Sequence, residues 1–109
     1  MIDEQGFRRA ADQALTSLFQ ALNRAAESYD FIADMNSGAL TVEFEDPPDK
    51  FVVSPNTPVR QIWVSAHSKS FKLDWDDAEA AFILTETGET LLQLMSRHVT
   101  AQLGEEVVL

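Results

Sequence analysis

The sequence predicts an α+β domain, a two-layer α–β sandwich with two terminal helices packed on one face of a six-stranded antiparallel sheet. Three observations predict it. Amphipathic helical periodicity is confined to the two ends of the 109-residue chain. Between them, short segments alternate apolar and polar residues with a period of two, the mark of strands with one buried face. The connections are of hairpin length, which favours antiparallel pairing, and one apolar stripe per helix asks for a single covered sheet face.

The first helix is expected over residues 3 to about 27. Phe7, Ala11, Leu15, Leu18, Leu22 and Ala25 recur at spacings of three and four. Asp3 and Glu4 fall in its first turn, where the helix dipole favours negative charge. Residues 31–36 and 39–45 flank Ser37-Gly38, a hairpin signal because glycine supplies a positive φ. Asp46-Pro-Pro-Asp49 reads as a loop, since proline cannot donate to a ladder, and the third strand is expected from Lys50 to Ser54. Pro55-Asn-Thr-Pro58 turns the chain into a fourth strand carrying Gln61, Ile62, Trp63, Val64 and Ser65. Ala66 to Lys69 connects it to a fifth, in which Phe71, Leu73 and Trp75 alternate with Ser70, Lys72 and Asp74. A sixth strand is expected over 80–84. The closing helix is expected to begin near Thr87–Thr90, with Leu91, Leu94, Met95, His98 and Val99 on one stripe and Gly104 as its cap.

Composition bounds the function. The length suits one domain over residues 1–109, and no apolar run approaches the roughly 20 residues that span a bilayer. The N-terminus has neither signal-peptide nor transit-peptide character, so a cytoplasmic location is the expectation. Without cysteine, the chain has no disulfide, thiolate nucleophile or cysteine-ligated cluster of its own. A formal net charge of -10 argues against nucleic acid as a partner. It suits a basic protein partner, a cation or plain solubility.

No phosphate loop, catalytic triad or metal-ligand spacing is present, so no catalytic residue is assigned. His98 lies on the apolar stripe of the last helix and is expected to be a satisfied core or boundary residue, whereas His67 is expected to be a solvated loop residue. Carboxylates are the plentiful donors, and oxygen-only sets hold hard cations weakly unless several converge. Trp63 falls on the polar side of its strand, within a segment from residue 50 to 73 that holds Lys50, Arg60, Lys69 and Lys72 and no acid. An outward tryptophan is either an interface anchor or a side chain lying flat on the sheet for stability alone. Physics leaves both open.

Several short motifs, in order along nearly the whole chain, carry a resemblance. Asn56-Thr-Pro58 followed by Arg60-Gln-Ile-Trp63-Val-Ser65 and then Leu73-Asp-Trp75 resembles the signature of the frataxins. Phe7-Arg-Arg-Ala-Ala-Asp-Gln13 is similar to the first helix of the bacterial members, Gly38-Ala-Leu-Thr-Val42 to their second-strand motif, and Thr87-Gly-Glu-Thr90 to the start of their last helix. The resemblance implies an α–β sandwich and a monomeric accessory role in iron–sulfur cluster assembly. Its implied partners are the cysteine desulfurase and the iron–sulfur scaffold protein, with an acidic helix meeting a basic groove on the desulfurase. It also implies weak binding of Fe2+ and Fe3+ by surface carboxylates, and as an alternative an iron-donor or ferroxidase-like iron-storage role.

Carried over by position, the resemblance implies partner binding at Gln61 and Trp63, with Asn56 and Arg60 as neighbours. The implied metal positions are Asp3, Glu4, Asp12, Glu27, Asp30 and Asp34. Here the chain departs from the family. Where bacterial frataxins place acids in the second half of the first helix, it has Phe19, Gln20, Asn23, Arg24, Ala25 and Ala26. Glycines usual in the loop near residues 66–69 are replaced by His67 and Lys69.

Overall fold

The computed structural model describes residues 2–109. Helix α1 runs from Glu4 to Ala26 and starts where Asp3 accepts the Gly6 N–H on Oδ1 at 2.7 Å, satisfying one of the orphan donors of the first turn. Its buried stripe is Phe7, Ala11, Leu15, Leu18, Ala21 and Leu22. Strands β1 (Phe31–Asn36), β2 (Ala39–Glu45), β3 (Pro48–Asn56), β4 (Gln61–Ala66), β5 (Lys69–Asp76), β6 (Ala81–Leu84) and β7 (Glu89–Thr90) follow, and helix α2 (Leu91–Leu103) closes the fold. Each strand pairs antiparallel with the next, so the sheet is a meander in chain order. The inward sides of the strands supply Leu40, Val42, Phe51, Val53, Ile62, Val64, Leu73, Phe82 and Leu84 to one core shared with both helices. The two-layer sandwich is therefore present as expected, with seven strands in place of six.

The seventh strand has a local cause. Thr90 is the N-cap of α2 and holds extended angles, φ -75° and ψ 169°, so the residues ahead of the helix continue the ladder. Glu89 and Thr90 pair with Leu84 and Ile83, and α2 begins only at Leu91. Thr90 and Gln93 form a reciprocal capping box, Gln93 N–H to Thr90 Oγ1 at 3.2 Å and Thr90 N–H to Gln93 Oε1 at 2.9 Å. Glu89 also receives a bidentate pair from Arg97, at 2.8 and 2.9 Å, which ties the start of α2 to its second turn. Those guanidinium hydrogen bonds hold the Glu89 carboxyl below its ordinary range.

The prolines also misdirect the reading of β3. The turn between β2 and β3 is only Asp46-Pro47, with a cis peptide between them, and β3 starts at Pro48, opposite Glu45. Pro48 opens the strand, where a missing N–H is best tolerated, and Pro55 pairs with Ile62 one residue from its end. Between β4 and β5 the turn is His67-Ser68, with φ of 51° and 62°. Two successive left-handed residues are what a type I′ two-residue hairpin turn requires.

Beyond Gly104, the terminal segment packs back on the helices. Val107 is buried, its N–H donates to Thr100 Oγ1 at 2.9 Å and its carbonyl accepts from the same hydroxyl at 3.2 Å. The Leu109 N–H donates to Ser96 Oγ at 3.0 Å. Thr100→Val keeps the shape and removes both Val107 hydrogen bonds, so chemical denaturation is expected to show a loss of about 1–3 kcal/mol.

Candidate functional site

The side of the sheet turned away from the helices is set by the outward residues of β1 to β5. Because side chains directly opposite each other share a face, Ser54, Trp63 and Lys72 form one row across β3, β4 and β5. Val52, Ser65 and Ser70 form the next row, and Asn56, Gln61 and Asp74 the row on the other side. Trp63 is thus flanked by the short Ser54 on β3 and the long Lys72 on β5, and it stands 39% exposed. A depression of about 400 Å³ beside it is lined by Val52, Ser54, Ser65, Ser70, Phe71 and Lys72.

Trp63 is held in place by polar contacts on its own face. Its Nε1–H donates to Gln61 Oε1 at 3.0 Å, and Gln61 Nε2 donates to Asp74 Oδ1 at 3.0 Å. An indole N–H can only donate and a carboxylate can only accept, so only one amide orientation of Gln61 satisfies both. On the other side, Lys72 Nζ sits 5.0 Å from the centre of the indole ring, a cation–π distance. The ring is fixed by two neighbours, Gln61 and Lys72, the first held in turn by Asp74, while much of its surface stays in water. That is the arrangement of a preformed anchor, since little freedom remains to be lost on contact.

The four residues expected for partner binding do not all converge. Gln61 and Trp63 are joined directly, and Asn56 is opposite Gln61. Arg60 lies outside the strand, at the end of a 3-10 turn over Thr57–Val59, with left-handed φ of 52° and a half-buried side chain. Among the described residues its Nε is buried with no hydrogen-bond partner. Lys72 and Asp74, not assigned to the contact set from the sequence, belong to the same network. The signal was present, because a two-residue turn at His67-Ser68 places residue 61 against 74 and residue 63 against 72.

The six expected metal positions are scattered. Asp3 is the N-cap of α1, and Glu4 is spent on Arg8 at 3.3 Å. Glu27 is at the far end of the same 23-residue helix, roughly 35 Å away at 1.5 Å per residue. Asp12 lines a small cleft with Met35, Asp30 precedes β1, and Asp34 faces outward opposite Thr41. Among the described residues no three histidine or carboxylate groups are placed to share a metal ion. The expected acidic helix is not acidic either: α1 carries Glu4 and Asp12 against Arg8, Arg9 and Arg24.

His67 corrects its expectation outright. Rather than being a solvated loop residue, it is half-buried, with Nδ1 2.8 Å from His98 Nδ1 and Nε2 3.0 Å from Gln102 Oε1. The left-handed turn is what rotates it inward.

Comparison with known proteins decides the family. A family model described as a frataxin-like domain matches residues 1–105. The chain belongs to the frataxin-like family. This frataxin-like chain is 31% identical over 97 residues to an iron-sulfur cluster assembly protein CyaY of Azotobacter vinelandii, covering 87% of each. It is 31% identical over 112 residues to the CyaY of Ralstonia nicotianae, covering 99% of this chain and 95% of that one. A solved structure of a frataxin from Psychromonas ingrahamii superposes with a TM-score of 0.77 at 25% identity, over 97% of this chain and 96% of that one. The two-helix sandwich derived from the strand register is therefore the frataxin fold. No helix of the described residues is long and apolar enough to cross a membrane.

Proposed function

We propose that this protein is an accessory and regulatory protein of iron–sulfur cluster assembly that binds the cysteine desulfurase–scaffold complex through the open face of its sheet. One observation carries the reading: Trp63 is exposed yet held by Gln61 and Lys72, with Asp74 fixing Gln61. A tryptophan in a polar setting of this kind is the usual anchor of a protein interface. The names of the relatives supply the process. The role is non-catalytic, acting on the rate of the complex. Cysteine desulfurase assays with the scaffold present, run with and without this protein, test it: a rate change that saturates with added protein is expected, and an unchanged rate contradicts the reading.

Iron contact is a weaker, secondary part of the proposal. With Asp3 and Glu4 engaged and Glu27 at the opposite end of α1, the carboxylates offer one or two oxygens at a time. Such sites hold divalent cations on the order of millimolar at best. An iron-donor or storage role would need a convergent donor set, and the described residues do not bring one together. Titration with Fe2+ under anaerobic conditions, followed by backbone NMR, is expected to shift Asp12, Glu27, Asp30 and Asp34 only towards millimolar metal. Saturation at micromolar metal would overturn this ranking.

A further inference from the structure

Where the β2–β3 turn, the β4–β5 turn and α2 meet, four polar groups form a chain. The Pro47 carbonyl accepts from Gln102 Nε2 at 2.7 Å, Gln102 Oε1 is 3.0 Å from His67 Nε2, and His67 Nδ1 is 2.8 Å from His98 Nδ1. His98 is 6% exposed and Gln102 8%. The rings of Phe51 and Phe71 are each 5.0 Å from one of the imidazoles, His67 and His98 respectively.

The protons in this chain follow from its fixed end. A carbonyl only accepts, so Gln102 must present Nε2 to Pro47 and Oε1 to His67. His67 Nε2 must then carry a hydrogen, which leaves Nδ1 of the neutral ring as an acceptor. His98 Nδ1 must therefore donate. That leaves His98 Nε2 as a bare lone pair, and among the described residues this atom is buried with no partner. The orphan nitrogen agrees with this assignment, since the opposite tautomer would bury an unpaired N–H at the same place.

We propose that His67 and His98 form a latch, closed by the single proton between their Nδ1 atoms, which holds the two hairpin turns on α2 and opens when the pair takes up another proton. A second proton has two places to go. On His98 Nε2 it puts a cation in an apolar enclosure with no acceptor. Arg97 on α2, His67 in the turn and Lys69 on β5 oppose it, while Glu89 on β7 favours it but is engaged by Arg97. Burial first, then these charges, lower His98 from 6.5 to about 4. On His67 Nδ1, the more exposed site, a proton sets N–H against N–H; His98 could keep the contact only by moving its own hydrogen to Nε2, where a buried N–H would have no acceptor. Because the folded state resists protonation, the stabilisation is complete above about pH 6.5 and is lost as pH falls towards 4. Phe71 also lines the depression beside Trp63, so the latch lies directly behind the open face.

Long-range 15N NMR of the imidazoles tests the tautomers at pH 8: His67 is expected to carry its hydrogen on Nε2 and His98 on Nδ1. Amide exchange at Ala66 and Lys69, the pair that closes the turn, is expected to accelerate at least tenfold between pH 7 and pH 5, after correction for its intrinsic pH dependence, while far-UV circular dichroism is unchanged. In His98→Phe that pH dependence should vanish. The opposite tautomers, or turn protection that does not change between pH 7 and pH 5, would overturn the proposal. Should His98→Phe not fold, the wild-type tautomers and exchange rates still decide it.

Discussion

Trp63→Ala is expected to weaken binding to the cysteine desulfurase–scaffold complex by about 30-fold, or about 2 kcal/mol, while the fold loses less than about 1 kcal/mol. The split follows from where the ring is. It stands above the sheet, with its N–H on Gln61 and Lys72 over its face, so truncation opens no cavity in the core. What truncation removes is contact area already fixed in its bound orientation. Gln61→Ala should weaken binding less, because it frees the ring without deleting it. Lys72→Ala should act mainly on association rate and lose its effect at high salt, since exposed charges are screened beyond about 8–10 Å. Calorimetric titration of the three variants at low and high salt checks the order. A Trp63→Ala variant that binds as wild type would show that the indole serves the sheet and not a partner.

The largest stability effect is expected at Phe51. Its ring is fully buried at the centre of β3, 4.9 Å from Phe44 and 5.0 Å from His67. Phe51→Ala leaves a cavity between two hairpins that cannot collapse without moving both, and should cost about 3–5 kcal/mol. Against a typical total of about 5–15 kcal/mol, that lowers the melting temperature by roughly 15 °C or more. Ile32, outward on β1 and 66% exposed, supplies the control: Ile32→Ala should change stability by less than about 0.5 kcal/mol. The contrast tests the alternation itself. A loss below about 1 kcal/mol for Phe51→Ala would mean that β3 does not face the core as described.

Periodicity made the two helices and most strands legible, because a buried stripe at spacing 3.6 or 2 leaves the same trace whatever surrounds it. β1 and β2 have the expected limits, and Trp63 lies outward as alternation requires. The start of β3 was misread because proline removes a donor, not a place in the ladder, and Pro48 opens the strand. β7 is two residues long and has no period to detect; only the extended N-cap of α2 accounts for it. His67 was misplaced for a different reason. Loop residues are solvated by default, and nothing in the residue types of Ala66 to Lys69 says that left-handed angles turn this ring towards α2. Gln102 went unnoticed with it, since its role depends on the Pro47 carbonyl, 55 residues distant. The thinness of the acidic set was visible in the composition of α1, where arginines outnumber acids.

The central claim is that the open face around Trp63 meets the assembly machinery, and an NMR titration reads it directly. Adding unlabelled cysteine desulfurase–scaffold complex to 15N-labelled protein should broaden or shift the Trp63 indole N–H first. The amides of Gln61 to Ser65 and Ser70 to Asp74 should follow, with the Trp75 indole, which donates to Asp77 at 2.7 Å, left in place. Changes confined to α1 and β1, with an unmoved Trp63 indole at saturation, would contradict the account.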